Sequence, residues 1–164
     1  MYSVVTSLIA DPDGLRELLA TSQTVAIVGW SSNPARPSHT ITEYLRSAGY
    51  HVLPVNPEVG TAGGTPAYTS LHDIPVPIDI VTVFRRPEFV LEVVDDAVAV
   101  GAKALWLQDG VVHEQAADRA LAAGLRVVMD RCIRRDHRRL LADGAAATST
   151  ATPVPRTGGP QEIS

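Results

Sequence analysis

Short runs of consecutive apolar residues alternate along this chain with longer stretches in which apolar residues return every three or four positions. The runs are 24–29 (TVAIVG), 50–55 (YHVLPV), 78–84 (IDIVTVF), 103–107 (KALWL) and 125–129 (LRVVM). Runs of this length, rich in Val, Ile and Leu, predict parallel strands buried on both faces. The stretches between them predict amphipathic helices. One covers 12–21, with Asp11 as its N-cap and Leu15, Leu18 and Leu19 on its inner face. A second is capped by Ser38, runs to about Ala48 and stops at Gly49. A third opens at Pro87, where a missing N–H is harmless, and carries Val90, Leu91, Val94, Ala97 and Val98 on one side. A fourth covers 113–123 and ends at Gly124. Residues 58–74 contain Gly60, Gly63, Gly64 and Pro66 and predict a loop with a short strand or turn near Ala67 and Tyr68.

Strands alternating with helices of these lengths predict an α/β domain. Its expected form is a doubly wound, Rossmann-like three-layer sandwich with a mostly parallel sheet of about five strands. The domain is expected over 1–142. Residues 143–164 are small, polar and rich in Pro and Gly, and predict a disordered tail.

Composition sharpens this picture by exclusion. The chain has 164 residues, 45% hydrophobic and 20% charged, as one ordinary globular domain would. A formal net charge of -4 argues against a nucleic-acid or membrane partner held by bulk charge, but leaves room for a local basic pocket. Cys132 is the only cysteine, so no internal disulfide forms and a reducing, cytoplasmic setting is expected. The first ten residues lack the basic flank and apolar core of a signal peptide, and no apolar run is long enough to span a bilayer.

In open parallel sheets, ligands bind beyond the carboxyl ends of the strands. Here those ends carry Gly29-Trp30-Ser31-Ser32-Asn33-Pro34, Asn56-Pro57, Arg85-Arg86-Pro87, Gln108-Asp109-Gly110 and Asp130-Arg131-Cys132. Gly29 either brings backbone close to a phosphate or simply makes the tight turn out of the strand. Ser31, Ser32 and Ser38 can add hydroxyls, and Arg36 a charge. The dinucleotide fingerprint G-x-G-x-x-G is absent, because Ser31 and Pro34 stand where glycines would be required. The second strand ends in Asn56 rather than the acidic residue that would bind a ribose diol. Either fact disfavours NAD. Arg85 and Arg86 sit near a helix start, where the macrodipole disfavours cations, so a ligand contact is favoured over a solvated pair.

Other residues read more plainly. Trp106 is expected in the core. Arg134, Arg135, Arg138 and Arg139 are expected on the solvated face of a last helix. Cys132 reads equally as a reactive thiol or a small buried hydrophobe. The five histidines are scattered, no metal-ligand spacing appears, and neither G-x-S-x-G nor a P-loop is present. Nothing in the sequence marks an enzyme convincingly.

Taken together, VGWSSNPARPSH, PVNP, VTVFRRPE, LWLQDGV and VVMDRC resemble the small bacterial CoA-binding proteins. These are single Rossmann-type domains related to the CoA-binding domain of the succinyl-CoA synthetase α subunit. The resemblance covers about 13–139 and departs from the family pattern at Ile133, where proline is usual. It implies coenzyme A across the carboxyl edge of the sheet. Gly29, Ser31, Ser32, Arg36 and Pro37 would face the phosphates, and Asn56 and Pro57 would shape the next wall. Phe84, Arg85 and Arg86 would flank the adenosine or its 3′-phosphate, with Gln108 and Gly110 toward the pantetheine. The synthetase forms its thioester with a second domain and a phosphorylated histidine, so the resemblance carries over binding of CoA or an acyl-CoA and not catalysis. A homodimer is compatible with the sequence. The competing readings are a small enzyme acting on a CoA thioester through Cys132 or His39, an NAD(P)-binding redox module, and a purely structural interaction domain.

Overall fold

The computed structural model describes residues 8–58 and 67–143; the expected disordered tail lies almost entirely outside them. Five strands form one all-parallel sheet: β1 (Thr24–Val28), β2 (His51–Val55), β3 (Ile80–Val83), β4 (Ala104–Leu107) and β5 (Arg126–Val128). Their spatial order is β2-β1-β3-β4-β5, so the direction of winding reverses between β1 and β3. Register is fixed by pairs such as Ala26 with Leu53 and with Val81, and Thr82 with Trp106. This is the doubly wound arrangement that the alternating apolar runs predict.

Among the described residues five α-helices cover the sheet: α1 (Pro12–Thr21), α2 (Pro37–Ser47), α3 (Val90–Ala99), α4 (Glu114–Ala122) and α5 (Ile133–His137), the last continued by a π-helical turn over Arg138–Asp143. None of the described helices is long and apolar enough to cross a membrane. Because side chains alternate across a strand, Val25, Ile27, Ile80 and Trp106 enter one core with Leu15, Leu19, Leu45, Ile133 and Leu140 from α1, α2, α5 and the π turn. Val28, Val81, Leu105 and Val127 enter the other with Val90, Val94 and Ala116 from α3 and α4. The connection from β2 to β3 contains no α-helix among its described residues. Leu71, in a 3-10 turn over Leu71–Asp73, and Ile78 fill that side of the second core instead.

Local chemistry explains most boundaries. The Asp11 carboxylate accepts the Gly14 N–H at 2.8 Å and caps α1 as expected. His113 caps α4 through its ring nitrogen. The start of α2 differs from expectation: it begins at Pro37, with Arg36 as a cap that has no side-chain bond. The fixed φ of proline suits the first helical position, and Ser38 is thereby one residue inside, where its Oγ accepts the Ser31 N–H. In α3, Val93 rather than Val98 completes the inner face, and Val98 is exposed. The sheet edges are partly covered. Tyr68 bridges to β2, as the turn near Ala67 and Tyr68 predicted, and Ile9 donates its N–H to Val127 on β5.

Candidate functional site

All five strands point their carboxyl ends at one rim, and the reversal between β1 and β3 opens a cleft of about 930 Å³ there. The chain leaving β1 turns sharply at Gly29, with φ +89°. A Cβ at this position would lie 2.7 Å from the Phe84 carbonyl oxygen. The bare glycine lets the first loop pass the end of β3, so its tight-turn role is structural, and the same atom lines the cleft.

That loop is braced from within and from its neighbour. The Gly29 and Trp30 N–H groups both donate to the Val55 carbonyl, and Asn56 Nδ2 donates to the Trp30 carbonyl at 2.8 Å. Ser31 Oγ accepts the Asn33 N–H, and Asn33 Oδ1 accepts the Ala35 N–H. Trp30 is buried and stacks on His39, with ring centroids 5.8 Å apart. His39 Nδ1 lies 3.2 Å from the Ser31 carbonyl; a carbonyl only accepts, so that nitrogen carries the proton.

Nine of the twelve residues singled out from the sequence line the cleft together: Gly29, Ser31, Arg36, Pro37, Phe84, Arg85, Arg86, Gln108 and Gly110. Ser32, Asn56 and Pro57 do not. Asn56 has both ends of its amide engaged, one by Trp30 and one by the Glu58 N–H, and serves as a brace. Trp106 is fully buried, as expected, and its indole N–H donates to the Arg131 carbonyl at 2.9 Å.

The structure adds residues that the sequence reading had turned toward solvent. Arg134, Arg135 and Arg138 line the cleft. Asp109 and Cys132, which the sequence already placed at strand ends, line it too, together with Val111. Burial of Ile133 and Leu140 against α1 and α2 rolls the C-terminal helix over the rim. Six arginines therefore meet one carboxylate, that of Asp109, in a protein whose net charge is -4. Arg135 grips Asp109 through two hydrogen bonds of 2.9 and 3.0 Å, and this grip holds the Asp109 carboxyl below the ordinary carboxylate range. Arg85 lies 4.2 Å over the Phe89 ring, and Arg86 reaches Glu88 only at 3.7 Å. Arg36, Arg85, Arg134 and Arg138 form no ion pair among the described residues. Behind them, the buried Asp136 binds Arg131 at 2.7 and 3.0 Å and fixes the base of α5; these hydrogen bonds raise the pKa of Arg131.

Gln108 is 4% exposed and presents one unpartnered group. Its Oε1 accepts the Ile133 N–H at 3.3 Å, a bond that proline at 133 could not make, and this fixes the orientation of the amide. Its Nε2 donor then has no partner among the described residues. Buried donors of this kind are rare unless something else satisfies them. No group of His, Cys, Asp and Glu among the described residues is arranged to hold a metal.

Known proteins resemble this chain in sequence and in shape. The profile of the family described as "CoA binding domain" matches residues 23–138. The protein YneT of Bacillus subtilis (strain 168), described as uncharacterized, is 40% identical over 123 residues, which cover 75% of this chain and 91% of YneT. A hypothetical protein from Pyrococcus horikoshii OT3 superposes with a TM-score of 0.78 at 35% identity, covering 86% of this chain and 99% of its own. The dinucleotide-forming acetyl-coenzyme A synthetase 1 of Ca. Korarchaeum cryptofilum matches with a TM-score of 0.60 at 26% identity, over 70% of this chain but 27% of that enzyme. With most of its length matched by one profile, and with a relative of this identity along nearly all of YneT, the chain belongs to the CoA-binding domain family.

Proposed function

We propose that the cleft at the β1/β3 reversal binds coenzyme A or an acyl-CoA, and that the protein is a cytoplasmic carrier or sensor with no chemistry of its own. The observation that carries this reading is the convergence on one rim of an acidic protein of five arginines that the cleft's own carboxylate does not hold, beside a sixth, Arg135, that is paired with Asp109. CoA bears a pyrophosphate and a 3′-phosphate, and a cationic cleft focuses field on such a ligand. The space is of the ~300–1,000 Å³ class that holds cofactors. The orphaned Gln108 amide supplies a donor that an amide-rich pantetheine arm can satisfy. The residues present therefore fit the ligand.

In this reading Arg36 and the first turn of α2 face the phosphates, with Gly29, Ser31 and Pro37 shaping the approach. Arg134 from α5 and Arg138 from the π-helical turn close over them. Phe84, Arg85 and Arg86 flank the adenosine or its 3′-phosphate, and Gln108 and Gly110 lie toward the pantetheine. Bound CoA would supply a thiol able to carry acyl groups as thioesters. The protein's part is to bind and orient it.

Calorimetry with CoA, dephospho-CoA and NADH tests the assignment. CoA is expected to bind, dephospho-CoA to bind more weakly, and NADH to compete poorly. No binding of CoA, or tighter binding of NADH, refutes it. A second reading, chemistry on a CoA thioester by Cys132, is favoured by the presence of that thiol in the cleft. His39 gives it no help, being outside the cleft-lining set and held by Ser31 and Trp30. Thioester hydrolysis that disappears in Cys132→Ala would establish it, and no turnover by the unaltered protein would dismiss it.

A further inference from the structure

Asp109 is an anomaly in a cleft built for anions. It is the single carboxylate lining the cleft among the described residues, and it neither faces away nor stands alone. Its two oxygens take both terminal nitrogens of Arg135 in a fork at 2.9 and 3.0 Å. Such a fork is the geometry with which guanidinium groups hold phosphates. Arg135 is thus already occupied by an anion belonging to the protein.

The two partners differ in freedom. The backbone around Asp109 is tied on both sides: the Gln108 carbonyl accepts the Val111 N–H at 2.9 Å, and the following Gly110 donates its N–H to the Asp130 carboxylate at 2.7 Å. Both side chains are more than half exposed, but that of Asp109 is short and stays near its tied backbone, whereas Arg135 carries its charge on a long stem from the surface of α5. When a polyanion enters, Arg135 can swing to it, but the Asp109 charge stays. An exposed pair of this kind is weak in isolation, so a phosphate can compete for Arg135, against the opposition of the carboxylate.

We propose that Asp109 is the affinity-setting residue of the cleft, a built-in counter-anion that holds Arg135 back from ligand phosphates and keeps binding of the polyanion weaker than six arginines would make it. The inference rests on the CoA reading of the cleft. It assigns to Asp109 a role opposite to that of the arginines around it, and makes Arg135 a reserve cation rather than a ligand contact.

The test is a double-mutant cycle by calorimetry at fixed ionic strength, with CoA and, in parallel, inorganic pyrophosphate as probes. Asp109→Asn keeps the shape and removes the charge, and is expected to tighten CoA binding roughly threefold to tenfold. Arg135→Gln is expected to weaken CoA binding at most about threefold, since it removes no ligand contact and only leaves the Asp109 carboxylate uncompensated. In the double variant most of the gain is expected to vanish. Weaker binding in Asp109→Asn overturns the proposal, since it would mean that the carboxylate positions Arg135 for the ligand. A gain that persists undiminished in the double variant also overturns it, leaving only diffuse repulsion. If the wild-type protein fails to bind CoA but pyrophosphate shows the expected cycle, the CoA reading falls and the role of Asp109 stands. If neither probe binds any variant, both fall.

Discussion

Replacing Gly29 with alanine tests how the sheet reversal makes room for a ligand. Two costs arise. Gly29 has φ +89°, a left-handed conformation that disfavours a residue with a Cβ by roughly 1–2 kcal/mol. The added methyl would also lie 2.7 Å from the Phe84 carbonyl oxygen and 3.0 Å from its carbon. Those atoms belong to the backbone leaving β3, whose Phe84 N–H is held by Val28, so they cannot yield cheaply. Relieving the overlap strains the backbone by about another 1–2 kcal/mol. The expected total is roughly 2–4 kcal/mol, read as a lower urea midpoint or as a fall in Tm of about 4–16 °C. Gly110 is the internal control: φ is +79°, but nothing lies within 4 Å of its missing Cβ. Gly110→Ala should lose only the conformational part, about 1–2 kcal/mol. The difference between the two variants isolates the steric contact. Equal losses would refute the claim that Gly29 is demanded by the proximity of Phe84.

Three further outcomes are expected. Arg134→Gln and Arg138→Gln should each weaken CoA binding roughly fivefold to tenfold with little change in Tm, whereas Ser32→Ala, outside the cleft, should leave affinity unaltered; calorimetry reads both. Gln108→Leu should cost about 1–3 kcal/mol in denaturant unfolding by stranding the Ile133 N–H, and weaken CoA binding as well. Stability should also respond to acid through Asp79. Burial alone would raise its pKa, but hydrogen bonds from Thr24 and Gln23, together with Lys103, outweigh burial and hold it below the ordinary value of 3.8. A depressed pKa contributes stability that is present above the unfolded value and fades as pH falls through the folded one. The stability gap between wild type and Asp79→Asn should therefore be full at pH 7 and close as pH drops below about 4; a gap independent of pH would contradict this.

The local rhythm of the chain settled the elements and the rim. Burial of strands on both faces forces continuous apolar runs, and burial of helices on one face forces a return every three or four residues, so these were legible without any long-range information. The same reading placed Gly29, Arg36, Arg85, Arg86, Gln108 and Gly110 at the strand ends, where they do converge. It also foresaw Trp106 in the core and Asp11 as a cap.

What the tertiary structure alone decided is how those ends face one another. Strand order follows from packing and not from any short segment, and only that order puts the opening between β1 and β3. The arginines after Ile133 looked like a solvated face because a charge run carries no record of what stands opposite. Burial of Ile133 and Leu140 turns that face onto the cleft. Asn56 looked like a wall residue, yet the passing Trp30 carbonyl took its amide as a brace. The pairing of Asp109 with Arg135 spans 26 positions of sequence. Contacts across such separations are set by how helices roll on the sheet, a property of the assembled core that no local pattern encodes.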